Sequence, residues 1–123
     1  MIEISGTDAV LRRLAADLRP AIETGAMGIA AALQDIIAPY PPAPPRSRYR
    51  RTGQLGQGWR IRGIPLGAVL ENRTGYAGPV QGPDQRATFR RIGWRNTDQA
   101  IQQVVGTGRA RRIMEDAIDA KLR

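Results

Sequence analysis

Residues 59–72, Trp-Arg-Ile-Arg-Gly-Ile-Pro-Leu-Gly-Ala-Val-Leu-Glu-Asn, decide the fold class of this chain. Trp59 and Ile61 alternate with arginines, and this period of two predicts a strand with one apolar and one charged face. A turn that contains proline follows at residues 63–67, and residues 68–72 return as a second strand. Because the connection is short, we expect an antiparallel hairpin.

Extended structure is predicted to continue beyond the hairpin. Residues 76–81 are expected to form a shorter extended piece, and residues 87–92 a further one. Together with the hairpin, these pieces would form a small antiparallel β-meander over residues 59–94.

A helical pattern precedes this β region. Residues 1–38 place apolar side chains at helical spacing, and Pro20 predicts a kink or a short break in the helix. Gly25 and Gly28 weaken the helix intrinsically, but they allow close packing against a sheet or another helix.

A second helical pattern closes the chain over residues 95–123. Asn96 is followed three positions later by Gln99, a variant of the capping box. The glycines at 106 and 108 predict either two helices or one bent helix. The 123 residues fit a single α+β domain, 1–123, with N-terminal helices, a Pro-rich loop, the β-meander and a C-terminal helix packed on one face of the sheet.

Proline and arginine dominate residues 39–58. Five prolines lie within residues 39–45, and they favour an extended polyproline path. Three interpretations stay open: a solvated linker, an arm along a neighbouring subunit whose carboxylates pair with the arginines, or a nucleic-acid patch with interleaved aromatics. We call residues 39–51 the Pro-Arg arm. The candidate subunit-interface residues are Tyr40, Pro42, Pro45, Arg46, Arg48, Tyr49, Arg50 and Arg51.

The two residue types most used in catalysis and metal binding are missing from the chain. It has no cysteine, which excludes disulfides and thiolate chemistry, and no histidine, the usual general base at neutral pH. The glycines of residues 53–58 lack the spacing of a phosphate-binding loop. We therefore predict a protein that is not an enzyme, with no catalytic residue, no cofactor and no metal.

The formal net charge of +8 favours a nucleic-acid partner. However, 18 of the 19 basic residues are arginine, a bias that a GC-rich genome would also produce. A basic DNA-binding protein stays an alternative, with the arginines of residues 46–51 and 109–112 as phosphate contacts. We recognise no signal peptide and no stretch that could span a bilayer, so no membrane partner is expected.

A motif extends from the end of the Pro-Arg arm into the middle third. Tyr49-Arg50-Arg51-Thr52-Gly53-Gln54-Leu55, followed by Trp59, resembles the Arg-Thr-Gly-x-Leu-x-x-x-Trp segment of small neck proteins of tailed bacteriophages, the head–tail joining and tail-completion proteins. Asn72 with Tyr76-Ala77-Gly78-Pro79-Val80-Gln81, and then Gln85 and Gly93-Trp94, resembles the rest of their pattern. Members often carry a histidine before the Gly-Trp pair, where this chain has Phe89. The residues expected to anchor this fold are Thr52, Gly53, Leu55, Trp59, Tyr76 and Trp94.

The resemblance implies a structural virion protein that assembles into a ring, with six- or twelve-fold symmetry. Its partners would be copies of itself and the neighbouring connector and tail-tube proteins, with passing contact to DNA. It would be synthesised in the cytoplasm of the host bacterium and end in the neck or tail of the virion. Neck, tail-completion and tail-terminator roles stay open, as does a minor capsid or tail protein at another station.

Overall fold

A computed structural model describes residues 7–43 and 53–123. A long helix, α1 (Thr7–Ile37), is followed by the short helix α2 (Gln54–Gln57) and by the strands β1 (Trp59–Ile64) and β2 (Gly67–Asn72). The short helices α3 (Ala77–Gln81), α4 (Ala87–Ile92) and α5 (Thr97–Ile101) come next. A π-helical turn (Gln102–Gly106) then leads into the last helix, α6 (Arg109–Leu122).

The predicted hairpin is confirmed. β1 and β2 pair antiparallel, in a register that runs from Trp59 opposite Asn72 to Ile64 opposite Gly67. α1 lies against both strands, and the C-terminal helical region joins them because Ala100 of α5 shares a buried cluster with Trp59. The fold is therefore α+β, as the sequence predicts.

The prediction of extended structure after the hairpin is wrong. Residues 77–81 and 87–92 form α3 and α4, and among the described residues the sheet has only two strands. Pro79 lies in the first turn of α3, where its missing N–H removes no helical hydrogen bond. In α4, Phe89 and Ile92 lie three positions apart and pack on the same buried cluster, which is a helical and not a strand periodicity.

The break expected at Pro20 is also absent, because α1 runs through this residue. The proline ring removes one hydrogen bond, the one that the carbonyl of Ala16 would accept. Pro20 and Ala16 are both exposed, so water can satisfy that carbonyl. The helix therefore continues at a lower energetic cost than a buried proline would impose.

The C-terminal region runs back along α1 in the opposite direction. Ala100 lies near Ile37 at the end of α1, whereas Ile113 and Met114 of α6 lie beside Gly28 and Gly25. A Cβ atom at position 25 would come within 2.6 Å of Met114 Sδ, and one at position 28 within 2.9 Å of Ile113 Cγ2. The predicted close packing at these two glycines is thus a helix–helix contact.

The predicted capping box begins the C-terminal region. The Gln99 N–H donates to Asn96 Oδ1 over 2.8 Å, and the Asn96 N–H donates to Gln99 Oε1 over 3.0 Å. The predicted interruption is found at the π-helical turn and at Gly108, whose φ of 80° is a left-handed conformation that favours glycine. The C-terminal region therefore forms separate helices.

Candidate assembly surface

The buried core consists of two clusters. The first joins Ile37, Trp59 and Ala100, and the second joins Leu55, Val80 and Trp94. Leu55 and Trp59, two of the residues expected to anchor the fold, lie in different clusters. The turn of α2 between them separates the two side chains.

The start of the Pro-Arg arm is fixed on the second cluster. Tyr40 packs its ring on Trp94 with the ring centroids 4.8 Å apart. After the arm, the Gly56 N–H donates to Tyr40 Oη over 3.0 Å. A Cβ atom at Gly56 would lie 2.9 Å from Tyr40 Cε1 and 3.0 Å from the Ala38 carbonyl oxygen, so this approach requires glycine. Tyr40 and Gly56, which are 16 positions apart in the sequence, are thus held together at one place.

Buried amide side chains hold the segment that carries this cluster. Gln81 is 1% exposed, and its Nε2 donates to the carbonyls of Ile37 and Arg95 over 2.8 and 3.0 Å. Gln85 Nε2 donates to the carbonyls of Val80 and Trp94 over 2.8 and 2.7 Å. These bonds connect the end of α1 to the segment before α5 and satisfy carbonyls that would otherwise be buried without a partner.

One asparagine side chain extends this network, and a second fixes the turn after β2. Asn96 Nδ2 donates to Gln85 Oε1 over 3.3 Å, which links the capping box of α5 to the buried glutamines. Asn72 Nδ2 donates to the Leu55 carbonyl over 2.7 Å, and Asn72 Oδ1 accepts from the Thr74 N–H over 3.0 Å. Asn72, Gln81 and Gln85 all belong to the motif on which the resemblance depends, so this part of the motif has a structural role in the fold.

The tip of the hairpin exposes a strained apolar residue. Leu66 has a φ of 58°, a region that a bulky L-residue rarely adopts, and its side chain is 59% exposed. Its N–H donates to Glu23 Oε1 on α1 over 3.2 Å. Met27 and Ile64 are exposed nearby, and they line a groove of about 630 Å³ between α1 and the tip.

Glu23 connects the tip to α1. Its carboxylate accepts the Leu66 N–H and lies 3.2 Å from Arg19 Nε. Both hydrogen bonds favour the charged form, the one from Leu66 more strongly, and they lower the pKa of Glu23 below its ordinary value. The contact is therefore strongest above the pKa of an unfolded glutamate and is lost as the pH falls through the folded value.

The π-helical turn carries a second exposed apolar patch. Ile101 and Val105 are 47% and 56% exposed, whereas Val104 between them is fully buried. The hairpin tip lies beside residues 19–27 of α1, and this second patch follows Ala100, which packs near Ile37. At about 1.5 Å per residue, some ten residues of α1 separate the two patches by roughly 15 Å.

The described structure covers only part of the predicted interface and anchor residues. Pro45, Arg46, Arg48, Tyr49, Arg50, Arg51 and Thr52 lie outside it. Pro42 is exposed, whereas Tyr40 is half-buried against Trp94, so its ring serves the arm's base. Leu55, Trp59 and Trp94 are buried, and Gly53 has a φ of 80° at the start of α2. Tyr76 is 38% exposed and belongs to neither cluster, since it lies at the turn that begins α3.

Comparisons with protein-family models, with curated proteins and with solved structures give no match. In residues 7–43 and 53–123, no helix has the length and apolarity needed to cross a membrane. The same residues contain no group of three or more carboxylates that could hold a metal ion. What the described surface does offer is a fixed base for the Pro-Arg arm and two separate apolar patches.

Proposed function

We propose that this chain is a non-enzymatic structural subunit of a tailed bacteriophage, which assembles into a ring in the neck or at the end of the tail. Neck, tail-completion and tail-terminator positions all require ring contacts, and the proposal covers the three. Its non-enzymatic part rests on the lack of histidine and cysteine in the sequence. Its assembly part rests on the resemblance of the motif and on the surfaces of the described residues.

One observation supports the proposal: Tyr40, at the start of the Pro-Arg arm, and Gly56, beyond its end, meet on a base built from motif residues. Tyr40 packs on Trp94, and the Gly56 N–H donates to the same tyrosine. Leu55 is 2% exposed within that base. A connecting segment carried by a rigid scaffold is positioned for recognition, which is why binding residues concentrate on such segments.

The two apolar patches support a ring in particular. A ring requires heterologous contacts, in which one patch meets a different patch on the next subunit. The hairpin tip, with Leu66, and the π-helical turn, with Val105, are two such different patches. Exposed apolar residues at both sites would supply burial that the core of this chain, with few aromatics, does not.

The full chain tests the proposal in solution. Native mass spectrometry and negative-stain electron microscopy should show closed rings of one copy number, six or twelve. A variant in which residues 41–50 are replaced by ten glycine and serine residues should lose the rings while it keeps the helical circular dichroism spectrum. A chain that stays monomeric up to millimolar concentration, also in the presence of its connector protein, would contradict ring assembly.

A phage that encodes this chain provides the second test. Deleting residues 41–50 should yield filled heads and free tails that do not join. The control is a phage in which Gly78, which has open space around it, is exchanged for alanine, and this phage should form normal tailed particles. Normal tailed particles from the deletion mutant would contradict the proposed role of the arm in joining heads to tails.

A further inference from the structure

The positive charge of the chain is concentrated in its middle part. Residues 39–96 contain 11 of the 19 basic residues and 2 of the 11 acidic residues, a net of +9. The flanking helical regions together carry −1. A general enrichment in arginine would raise the basic count everywhere, but it would not remove carboxylates from one region.

The described residues contain fourteen arginines. Arg19, Arg62, Arg73 and Arg111 each lie within 4 Å of a carboxylate, at distances of 2.8 to 3.6 Å. The other ten form no ion pair with a described carboxylate, and four of these ten, all exposed, lie within residues 86–95; we call them the α4 arginines. The α4 arginines are Arg86, Arg90, Arg91 and Arg95.

The backbone that carries the α4 arginines is held in place on its buried side. Phe89 and Ile92 of α4 pack on the second cluster, which leaves the arginines on the solvent side of the helix. The Arg90 N–H donates to the Arg86 carbonyl, so these two side chains lie one turn apart, with Cβ atoms about 5–6 Å from each other. The Arg95 carbonyl accepts from the buried Gln81 amide over 3.0 Å.

Like charges one helical turn apart, as at Arg86 and Arg90, repel one another unless an anion lies between them. Guanidinium binds phosphate through two parallel hydrogen bonds, and its charge does not depend on pH in the physiological range. None of the large apolar side chains exposed on the described surface belongs to residues 86–95. Protein interfaces have an apolar centre, whereas interfaces with nucleic acid are polar and positively charged.

We propose that the α4 arginines bind the phosphate backbone of double-stranded DNA without reading its sequence. A duplex is favoured over a single strand because the aromatic side chains of this segment, Phe89 and Trp94, pack inward and cannot stack on bases. A second copy of this chain is a poor occupant, since it brings a net charge of +8. The site does not depend on ring assembly, and a monomer would bind DNA through it.

The experiment compares two variants of equal charge. In one, the α4 arginines are exchanged for glutamine (R86Q, R90Q, R91Q, R95Q). In the other, the ion-paired arginines are exchanged (R19Q, R62Q, R73Q, R111Q). Both reduce the formal net charge from +8 to +4. Fluorescence anisotropy with a labelled 30-base-pair duplex, measured between 50 and 200 mM salt, gives the affinity and its salt dependence for each, and circular dichroism checks that both are folded.

Each phosphate contact contributes about 0.9 to the slope of log affinity against log salt concentration. Loss of the α4 arginines should therefore lower the slope by up to about 3.6 and weaken binding at 50 mM salt at least tenfold more than the paired variant does. Two duplexes of unrelated sequence should bind with equal affinity. Closed rings are scored separately by mass spectrometry, so a failure of ring assembly and a failure of DNA binding are distinguishable.

Four results would overturn the proposal. The wild-type chain could fail to bind DNA at 50 mM salt, or the two variants could weaken binding equally, which would indicate net charge alone. Exchange of the four arginines in residues 46–51 could remove all binding while the α4 variant retains it. Lastly, polyglutamate could bind with the affinity of DNA at equal salt, which would assign the patch to carboxylates of a protein partner.

Discussion

The α1–hairpin–α6 side of the molecule and the segment from α3 to Trp94 differ in the pairing of their charges, because the four ion pairs of the described residues all lie outside the second segment. On the first side, arginines such as Arg111 lie beside carboxylates, and helices meet through glycine at Gly25. On the second side, arginines such as Arg90 face solvent without a carboxylate, and the backbone is held by the buried amide of Gln81. Composition explains how many arginines there are, but only their partners distinguish a solvated helix face from a binding surface.

The two sides also differ in what stabilises them. Contact between α1 and α6 depends on close approach of backbones, which a larger residue prevents. The segment from α3 to Trp94 combines the apolar packing of Val80 and Trp94 with hydrogen bonds from buried amide side chains to backbone carbonyls. Substitutions should therefore affect the two sides through different physical terms.

The largest effect is expected at Gln81. Exchange for leucine keeps the volume but leaves the carbonyls of Ile37 and Arg95 without their donor, which should lower the free energy of unfolding by about 2–4 kcal/mol. Urea denaturation measures this change in the free energy of unfolding. The matched control is Gln103, which is exposed, and its exchange for leucine should change stability by less than about 0.5 kcal/mol. Equal effects at the two positions would remove the amide network as a source of stability.

A substitution at Gly25 tests the contact between α1 and α6. Exchange for valine places carbon atoms within reach of Met114 Sδ and Cα, at 2.6 and 3.3 Å for Cβ alone, and should destabilise by about 1–3 kcal/mol. Gly78 in α3 has nothing within 4 Å of its Cβ position, and the same exchange there should be nearly neutral. A Gly25 variant as stable as the wild type would mean that α6 does not need this close approach.

Two substitutions at Leu66 distinguish backbone strain from contact through the exposed side chain. Exchange for glycine relieves the positive φ and should raise the free energy of unfolding by up to about 1 kcal/mol. Exchange for alanine removes the same apolar side chain but keeps the strain, and should leave stability almost unchanged. If the tip contacts a neighbouring subunit, both variants should assemble more weakly, although only one is more stable. Thermal unfolding and native mass spectrometry together resolve the two effects.

The arginine comparison itself predicts a small difference in stability. Exchange of Arg111 for glutamine removes an ion pair four positions apart on α6 and should cost about 0.3–0.5 kcal/mol. Exchange of Arg90 removes only repulsion and should be neutral or slightly stabilising. Both differences should shrink in 0.5 M salt. A loss of stability at Arg90 would reveal a carboxylate partner and weaken the proposed DNA site.

The smallest effect is expected at Glu23 and depends on pH. Its folded pKa is lowered, so its contribution is present above the unfolded pKa and is lost as the pH falls through the folded one. The stability of a Glu23→Gln variant should therefore approach that of the wild type as the solution is acidified. Thermal unfolding between pH 3 and 7 measures this convergence. A difference in stability that does not depend on pH would contradict the role of the Glu23 carboxylate in binding the Leu66 N–H and Arg19.

Some of the sequence predictions succeed because the signal is local. Alternation in Trp59–Ile64 specifies a strand, and the spacing from Asn96 to Gln99 specifies a helix start. The prediction for residues 76–92 is wrong because their short apolar runs fit a strand or a helix equally well. The structure resolves this in favour of helix, since Phe89 and Ile92 pack together on the Trp94 cluster, and β2 pairs only with β1 among residues 7–43 and 53–123.

Residue identity and short spacing suffice to predict the α+β class, the hairpin and the position of close helix packing, and they exclude histidine and cysteine chemistry. The meeting of Tyr40 and Gly56 at the base of the Pro-Arg arm follows from the folded chain alone, as does the pairing of Arg111 with a carboxylate, which Arg90 lacks among the described residues. Those features join residues distant in the chain, and whether two charges pair depends on which surfaces the folded backbone brings within a few ångströms of each other.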